Sequence, residues 1–92
     1  VWERYAYPAA RETLLAGNAP RVIFEPTPVT RIRPAEPPRA KAWINKTGST
    51  NGFSAYVVFV PAQRSGIVLL ANRSYPIDAR VSAAHRILSS IA

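Results

Sequence analysis

Six of the chain's nine prolines fall within residues 20–40: Pro20, Pro26, Pro28, Pro34, Pro37 and Pro38. Each proline fixes φ and removes a backbone donor, so this zone reads as neither helix nor central strand. It reads as an extended surface loop, with room for one short strand near Arg21 to Phe24. A loop of that length in a compact unit is usually functional or disordered. The prolines divide the 92 residues into a mixed strand and helix zone (1–19), the loop (20–40) and a regular zone (41–92).

The first zone opens on aromatic residues, Trp2, Tyr5 and Tyr7, and the helix formers from Ala9 to Leu15 follow Pro8. Gly17-Asn18 is a stop signal for that helix. In the regular zone, Ala42 to Ser49 reads as a strand. Asn51-Gly52 predicts a tight type I′ hairpin turn, whose two central residues need positive φ. Phe53 to Val60 is rich in aromatic and β-branched residues, as strands are. Pro61 to Ser65 is a polar connection, and Gly66 to Ala71 is an apolar run that predicts a strand covered on both faces. Residues 41–72 thus predict a three-stranded antiparallel meander. A helix follows over 78–91, with Asp78 as its N-cap and Val81, Ala84, Leu88 and Ile91 on one face toward the sheet. Arg80 and Arg86 fall off that stripe. The fold class is α/β in its broad, α+β sense: an antiparallel sheet flanked by helices.

Composition removes several function classes. Without cysteine there is no disulfide framework, thiolate nucleophile or cysteine-bound zinc, and a lone His85 excludes a histidine-rich metal cluster. No apolar run approaches the roughly 20 residues of a membrane helix. Lys and Arg outnumber Asp and Glu by 12 to 5, a net charge of +7. The arginines are dispersed without a run of three, which reads as a solvated basic surface rather than a nucleic-acid stripe. The chain starts at Val1, and nothing near it resembles a signal peptide, so it is expected to be processed or cut from something longer.

The chemistry concentrates at Lys46-Thr47-Gly48, late on a predicted strand and just before a turn. Lysine and threonine offer a cation and a hydroxyl to an anionic group or a nearby nucleophile. Glycine lets a ligand or another chain approach the strand closely. Lys-Thr-Gly also belongs to the motif set of serine penicillin-recognising enzymes. By itself the triplet is weak, and Lys46 alone would read as an ordinary strand-end charge. Its context is specific. The run from Trp43 through Lys46-Thr47-Gly48-Ser49 and Asn51-Gly52 to Pro61, then Gly66 to Pro76, then Ala79-Arg80-Val81 with its helix, resembles the C-terminal part of class C serine β-lactamases. Trp2-Glu3 and Tyr7-Pro8 fit as well, and the proline-rich zone falls where that family carries a variable loop beside its active site.

The resemblance implies a β-lactamase and penicillin-binding-protein transpeptidase-like fold, of which residues 1–92 are the C-terminal segment. It implies hydrolysis of β-lactams, cephalosporins preferred, through a serine acyl-enzyme, with no metal or organic cofactor and a periplasmic location. The family's Ser-x-x-Lys and Tyr-x-Asn motifs do not occur here. An N-terminal segment carrying them is therefore the expected partner, with no nucleic acid and no membrane. By the same resemblance, Lys46 sets a positive charge beside the absent serine and tyrosine. The Ser49 backbone N–H is one oxyanion-hole donor. Thr47, Gly48, Asn51 and Arg80 contact the substrate, Thr47 and Arg80 toward its carboxylate. Ser74 and Ile77 stand where many members carry asparagines facing the substrate, so carboxylate recognition should lean on Thr47, Ser49 and Arg80. Trp43, Tyr56 and His85 read as packing residues. The alternatives are a D-alanyl-D-alanine peptidase or serine esterase of the same fold, or an inert fragment whose apolar strands require a partner.

Overall fold

The computed structural model describes residues 2–26, 28, 31, 33–34 and 40–91. The loop expected over 20–40 lies partly outside the described residues. Four strands form one antiparallel sheet in the order β1-β2-β3-β4: β1 (Glu3–Ala6), β2 (Ala42–Ser49), β3 (Ser54–Val60) and β4 (Ser65–Ala71). Helices α1 (Arg11–Gly17) and α2 (Pro20–Phe24) follow β1, and α3 (Ile77–Ile91) closes the chain. Among the described residues, no helix is long and apolar enough to cross a membrane.

Strand periodicity explains the core. Side chains alternate between faces, and the register sets Trp43, Tyr56, Val58 and Val60 on one of them. That face meets Leu14 of α1 and Val81, Ala84 and Leu88 of α3, all fully buried. The Trp43 indole Nε1–H donates to the Tyr56 hydroxyl at 3.2 Å, so the two largest core side chains satisfy each other's polar atoms. His85 also packs: its ring lies 5.9 Å from that of Trp43, and its Nε2 donates to Ala9 O at 3.0 Å.

Six expectations change. The sheet has four strands rather than three, because Glu3–Ala6 pairs with Ala42–Asn45. Arg21–Phe24 is helical, not extended. Pro20 sits in the first turn of α2, where its missing N–H costs nothing and its fixed φ suits a helix. Pro26 then forces Glu25 into extended backbone (φ −118°, ψ 144°) and ends α2.

The β2–β3 hairpin lies where Asn51-Gly52 places it, but its turn is not type I′. Among the described residues only Arg64 has positive φ (52°). Thr50 closes the turn instead: its N–H donates to Phe53 O at 2.9 Å, and its Oγ1 accepts from Phe53 N–H at 3.1 Å. Helix α3 begins one residue early. Arg80 N–H donates to Pro76 O at 3.2 Å, so Pro76 takes the N-cap place and Asp78 sits in the first turn, where the helix dipole favours it. Finally, the described residues cover β4 on one face only. Ile67 and Leu69 point to α3, while Val68 and Leu70 are 61% and 78% exposed. Ile91, expected on the packed face, is likewise exposed at the end of α3.

The α1 terminus provides a check on this packing. A Cβ on Gly17 would collide with the Tyr5 hydroxyl, which donates to Glu3 Oε2 at 2.7 Å. Gly17→Ala would ordinarily stabilise a helix by about 0.5–1 kcal/mol. Here it is expected to lower the thermal midpoint, since overpacking costs about 1–3 kcal/mol. The Gly17→Ala/Tyr5→Phe double variant is expected to recover at least half of the loss in the same melt.

Candidate active site

Strand β2 has eight residues and β1 only four. Pairing between them ends at Glu3 opposite Asn45, while pairing with β3 runs on to Ser49 opposite Ser54. Residues 46–49 therefore have β3 on one side and, among the described residues, no strand on the other. Alternate pairs of an antiparallel ladder exchange hydrogen bonds. Thr50 bonds inward to Phe53, so Gly48 with Ala55 is an inward pair and Ser49 with Ser54 is not. The Ser49 N–H thus faces the uncovered edge of β2.

The predicted site residues divide between two faces. Lys46 is exposed on the face away from α3, level with Val57, and its Nζ donates to Thr47 O at 2.7 Å. Thr47 is half-buried on the helix side, opposite Tyr56. The period of two sets these neighbours apart rather than side by side. Gly48 returns to the Lys46 face. Among the described residues a Cβ there would meet only Ala55 Cβ, at an ordinary 3.8 Å, so none of them requires a glycine.

Gly48 and Ser49 line an open cleft of about 670 Å³, with Phe53, Ala55, Leu70 and Asn72 on its other walls. Asn51 is exposed in the hairpin turn and Ser74 in the connection to α3. Ile77 is not brought to this cleft. It packs against the core and lines a separate cavity of about 380 Å³ with Leu15, Asn18, Pro20 and Asp78.

Arg80 departs furthest from its expected place. Off the apolar stripe in sequence, it is 4% exposed. Its Nε donates to Tyr75 O at 2.9 Å, Nη1 to Gly48 O at 3.0 Å and Ala55 O at 2.9 Å, and Nη2 to Ser49 Oγ at 3.0 Å. Burial pushes the guanidinium pKa down from its ordinary value. The first turn of α3 crosses the end of the β2–β3 hairpin, which is why a residue beside the stripe ends up inside.

Two polar residues below the site were not singled out from sequence. Ser54 donates to Arg73 O and accepts from Tyr75 N–H, both at 2.9 Å, tying the β4–α3 connection to β3. Asn45 is fully buried and accepts from Asn18 Nδ2 at 3.3 Å, which joins β2 to the end of α1. The signal was present in both: each is a polar residue at the inward phase of an otherwise apolar strand. Among the described residues, no group of three or more His, Cys, Asp or Glu could hold a metal ion.

An antiparallel sheet whose exposed strand end carries Lys-Thr-Gly-Ser, backed by a C-terminal helix, defines the sheet wall of a β-lactamase and transpeptidase-like fold. A family model described as Beta-lactamase matches residues 5–91, and the chain belongs to the beta-lactamase family. It is 52% identical over 90 residues to a beta-lactamase of Lysobacter lactamgenus, covering 98% of this chain and 23% of that protein. Among solved structures, it is 60% identical to the D-alanine carboxypeptidase AmpC of Burkholderia cenocepacia, with a TM-score of 0.94 over 97% of this chain and 26% of the other. It is 50% identical to a class C beta-lactamase, with a TM-score of 0.88 over 99% of this chain and 23% of the other. The chain spans about a quarter of the length of the relatives it matches.

Tyr56, on the sheet beneath Thr47, sets the alkaline limit of this arrangement. Burial pushes its pKa up to about 12, partly offset by the Trp43 donor. Burial and the Glu3 hydrogen bond raise Tyr5 as well. The fold holds these phenolic protons more tightly than the unfolded chain does, where tyrosine titrates near about 10. Stability is therefore full below about pH 10 and falls as pH climbs from there through 12. Urea midpoints between pH 8 and 12 are expected to show this decline, and Tyr56→Phe to make it shallower.

Proposed function

We propose that this chain forms one wall of a serine hydrolase site that opens β-lactam rings, cephalosporins preferred, through an acyl-enzyme. The nucleophile belongs to a segment bearing Ser-x-x-Lys and Tyr-x-Asn, and the enzyme works in the periplasm. One observation carries the reading. The half of β2 holding Lys46-Thr47-Gly48-Ser49 runs beyond β1, and its outward amides meet no strand among the described residues.

A substrate carbonyl at that edge would find the Ser49 N–H aimed at it, as an oxyanion donor must be. The second donor would be the nucleophile's own amide. As the serine attacks, negative charge develops on the carbonyl oxygen and this amide stabilises it. The Lys46 ammonium favours the ionised forms of the serine and of its proton-transfer partner. Thr47 and Asn51 offer polar contacts, Thr47 toward the substrate carboxylate. The missing side chain at Gly48 leaves room for the ring system to lie against the strand.

The test is turnover of a chromogenic cephalosporin by the native protein that contains this chain. Sustained hydrolysis is expected. A second reading, D-alanyl-D-alanine peptidase, draws support from the 60%-identical neighbour named as a D-alanine carboxypeptidase. A stoichiometric burst without turnover, together with D-alanine release from a peptide ending in D-Ala-D-Ala, would replace the first reading with the second.

Gly48→Ala separates fold from function at this strand. Among the described residues the added methyl meets only an ordinary contact. The thermal midpoint is expected to stay within about 2 °C, because exposed substitutions of this kind change stability little. In contrast, kcat/KM for the cephalosporin is expected to fall at least about tenfold, roughly 1.4 kcal/mol of transition-state binding.

A further inference from the structure

Arg80 is a buried cation whose four partners among the described residues are neutral: Tyr75 O, Gly48 O, Ala55 O and Ser49 Oγ. A guanidinium has five N–H donors, and four of them are engaged here. Among the described residues only one, on Nη2, is left without a partner, on a residue 4% exposed. That geometry suits a brace better than a receptor for a substrate carboxylate, which would use a forked pair of free N–H groups.

The decisive contact is with Gly48 O. The Gly48 carbonyl and the Ser49 N–H are the two ends of one planar peptide group and point in opposite directions. Gly48 O faces inward across the β2–β3 seam, where Nη1 bridges it to Ala55 O. The Ser49 N–H faces outward to the open edge. Whatever fixes the carbonyl fixes the amide. A cation on the carbonyl oxygen also draws electrons from the nitrogen, making its N–H a stronger donor, as in any polarised hydrogen-bond chain.

We propose that Arg80 is a positioning residue that orients and polarises the Gly48–Ser49 peptide from behind, and so acts on the reaction without touching substrate. The inference rests on Ser49 N–H serving as an oxyanion donor. Lysine cannot replace arginine in this role. Its single nitrogen cannot bridge two strand carbonyls and at the same time reach Tyr75 O and Ser49 Oγ.

The experiment uses Arg80→Lys and Arg80→Gln in the native protein that contains this chain. Two chromogenic cephalosporins serve as substrates, one with its carboxylate free and one with it esterified. Both variants are expected to lower kcat roughly tenfold on both substrates, a fraction of the loss when an oxyanion donor is removed outright. KM is expected to move less than about twofold, with no rescue by lysine. The infrared carbonyl stretch of the acyl-enzyme formed with a slowly hydrolysed β-lactam is expected to rise in frequency, as it does when a carbonyl loses hydrogen bonding. Loss confined to the free carboxylate and expressed in KM would overturn the proposal, as would an unchanged stretch.

A measurement on the unmutated protein does not depend on variants that fold. The Arg80 Nε–H resonance is expected to keep its shift when a carboxylate-bearing inhibitor binds, whereas a displaced resonance would place Arg80 on the ligand and overturn the proposal. An unmutated protein that forms no acyl-enzyme at all would sink the hydrolase reading itself, a result distinct from any of these.

Discussion

Among the described residues, the stretch of β2 past Asn45 has a strand on one side only, and the candidate site is built on it. A strand in the middle of a sheet has its backbone donors and acceptors consumed on both sides. Among the described residues, strand β2 is in that state only as far as Asn45, which pairs with Glu3. Beyond that point it keeps β3 on one side and turns alternate amides outward on the other. Those outward groups are the raw material of a binding edge, since an unpaired strand edge invites a partner of matching polarity. The motif residues lie entirely within this stretch of β2.

Holding such an edge in place requires support from behind, and the inward face provides it with polar groups set among apolar ones. Trp43, Tyr56, Val58 and Val60 form the dry centre with Val81, Ala84 and Leu88. Around it, Asn45 is tied to Asn18, Ser54 to the chain before α3, and Arg80 to both strands of the hairpin. Each link joins elements far apart in sequence. Buried polar groups of this kind are costly unless satisfied, so they tolerate few alternative arrangements of the elements they connect. The end of the hairpin is thereby fixed on the side opposite the one it presents outward.

The legibility of this chain in sequence varied with the range of the interactions involved. Ala42–Ser49, Ser54–Val60 and the helix over Val81, Ala84 and Leu88 were readable because their signal is local: β-branched and aromatic alternation in one case, helical spacing in the other. The stop at Gly17-Asn18 was readable for the same reason. Arg21–Phe24 was not, because Pro20 is as compatible with helix entry as with an extended loop. The turn at Asn51-Gly52 was located but its geometry was not, since the Thr50 hydroxyl and Phe53 offer a closure that needs no left-handed residue. Gly66–Ala71 read as covered on both faces, although its outer face carries Val68 and Leu70 into the open. An apolar run records what a strand can bury, and its neighbours decide how much of it is buried.

At the site, the run Lys46-Thr47-Gly48-Ser49 was a weak signal alone and became specific through the ordered segments around it. Residue identity is enough for that, because the chemistry of a cation, a hydroxyl and a bare backbone is written in the side chains present. What residue order did not contain was direction. The chain's tertiary structure assigned Lys46 and Thr47 to opposite faces, moved Ile77 to another cavity and drew Arg80 inward onto the Gly48 carbonyl. Those outcomes depend on strand register and on where α3 crosses the hairpin, set between residues more than thirty positions apart, as Gly48 and Arg80 are. Local pattern determined which groups this protein owns, and long-range packing decided which way each of them points.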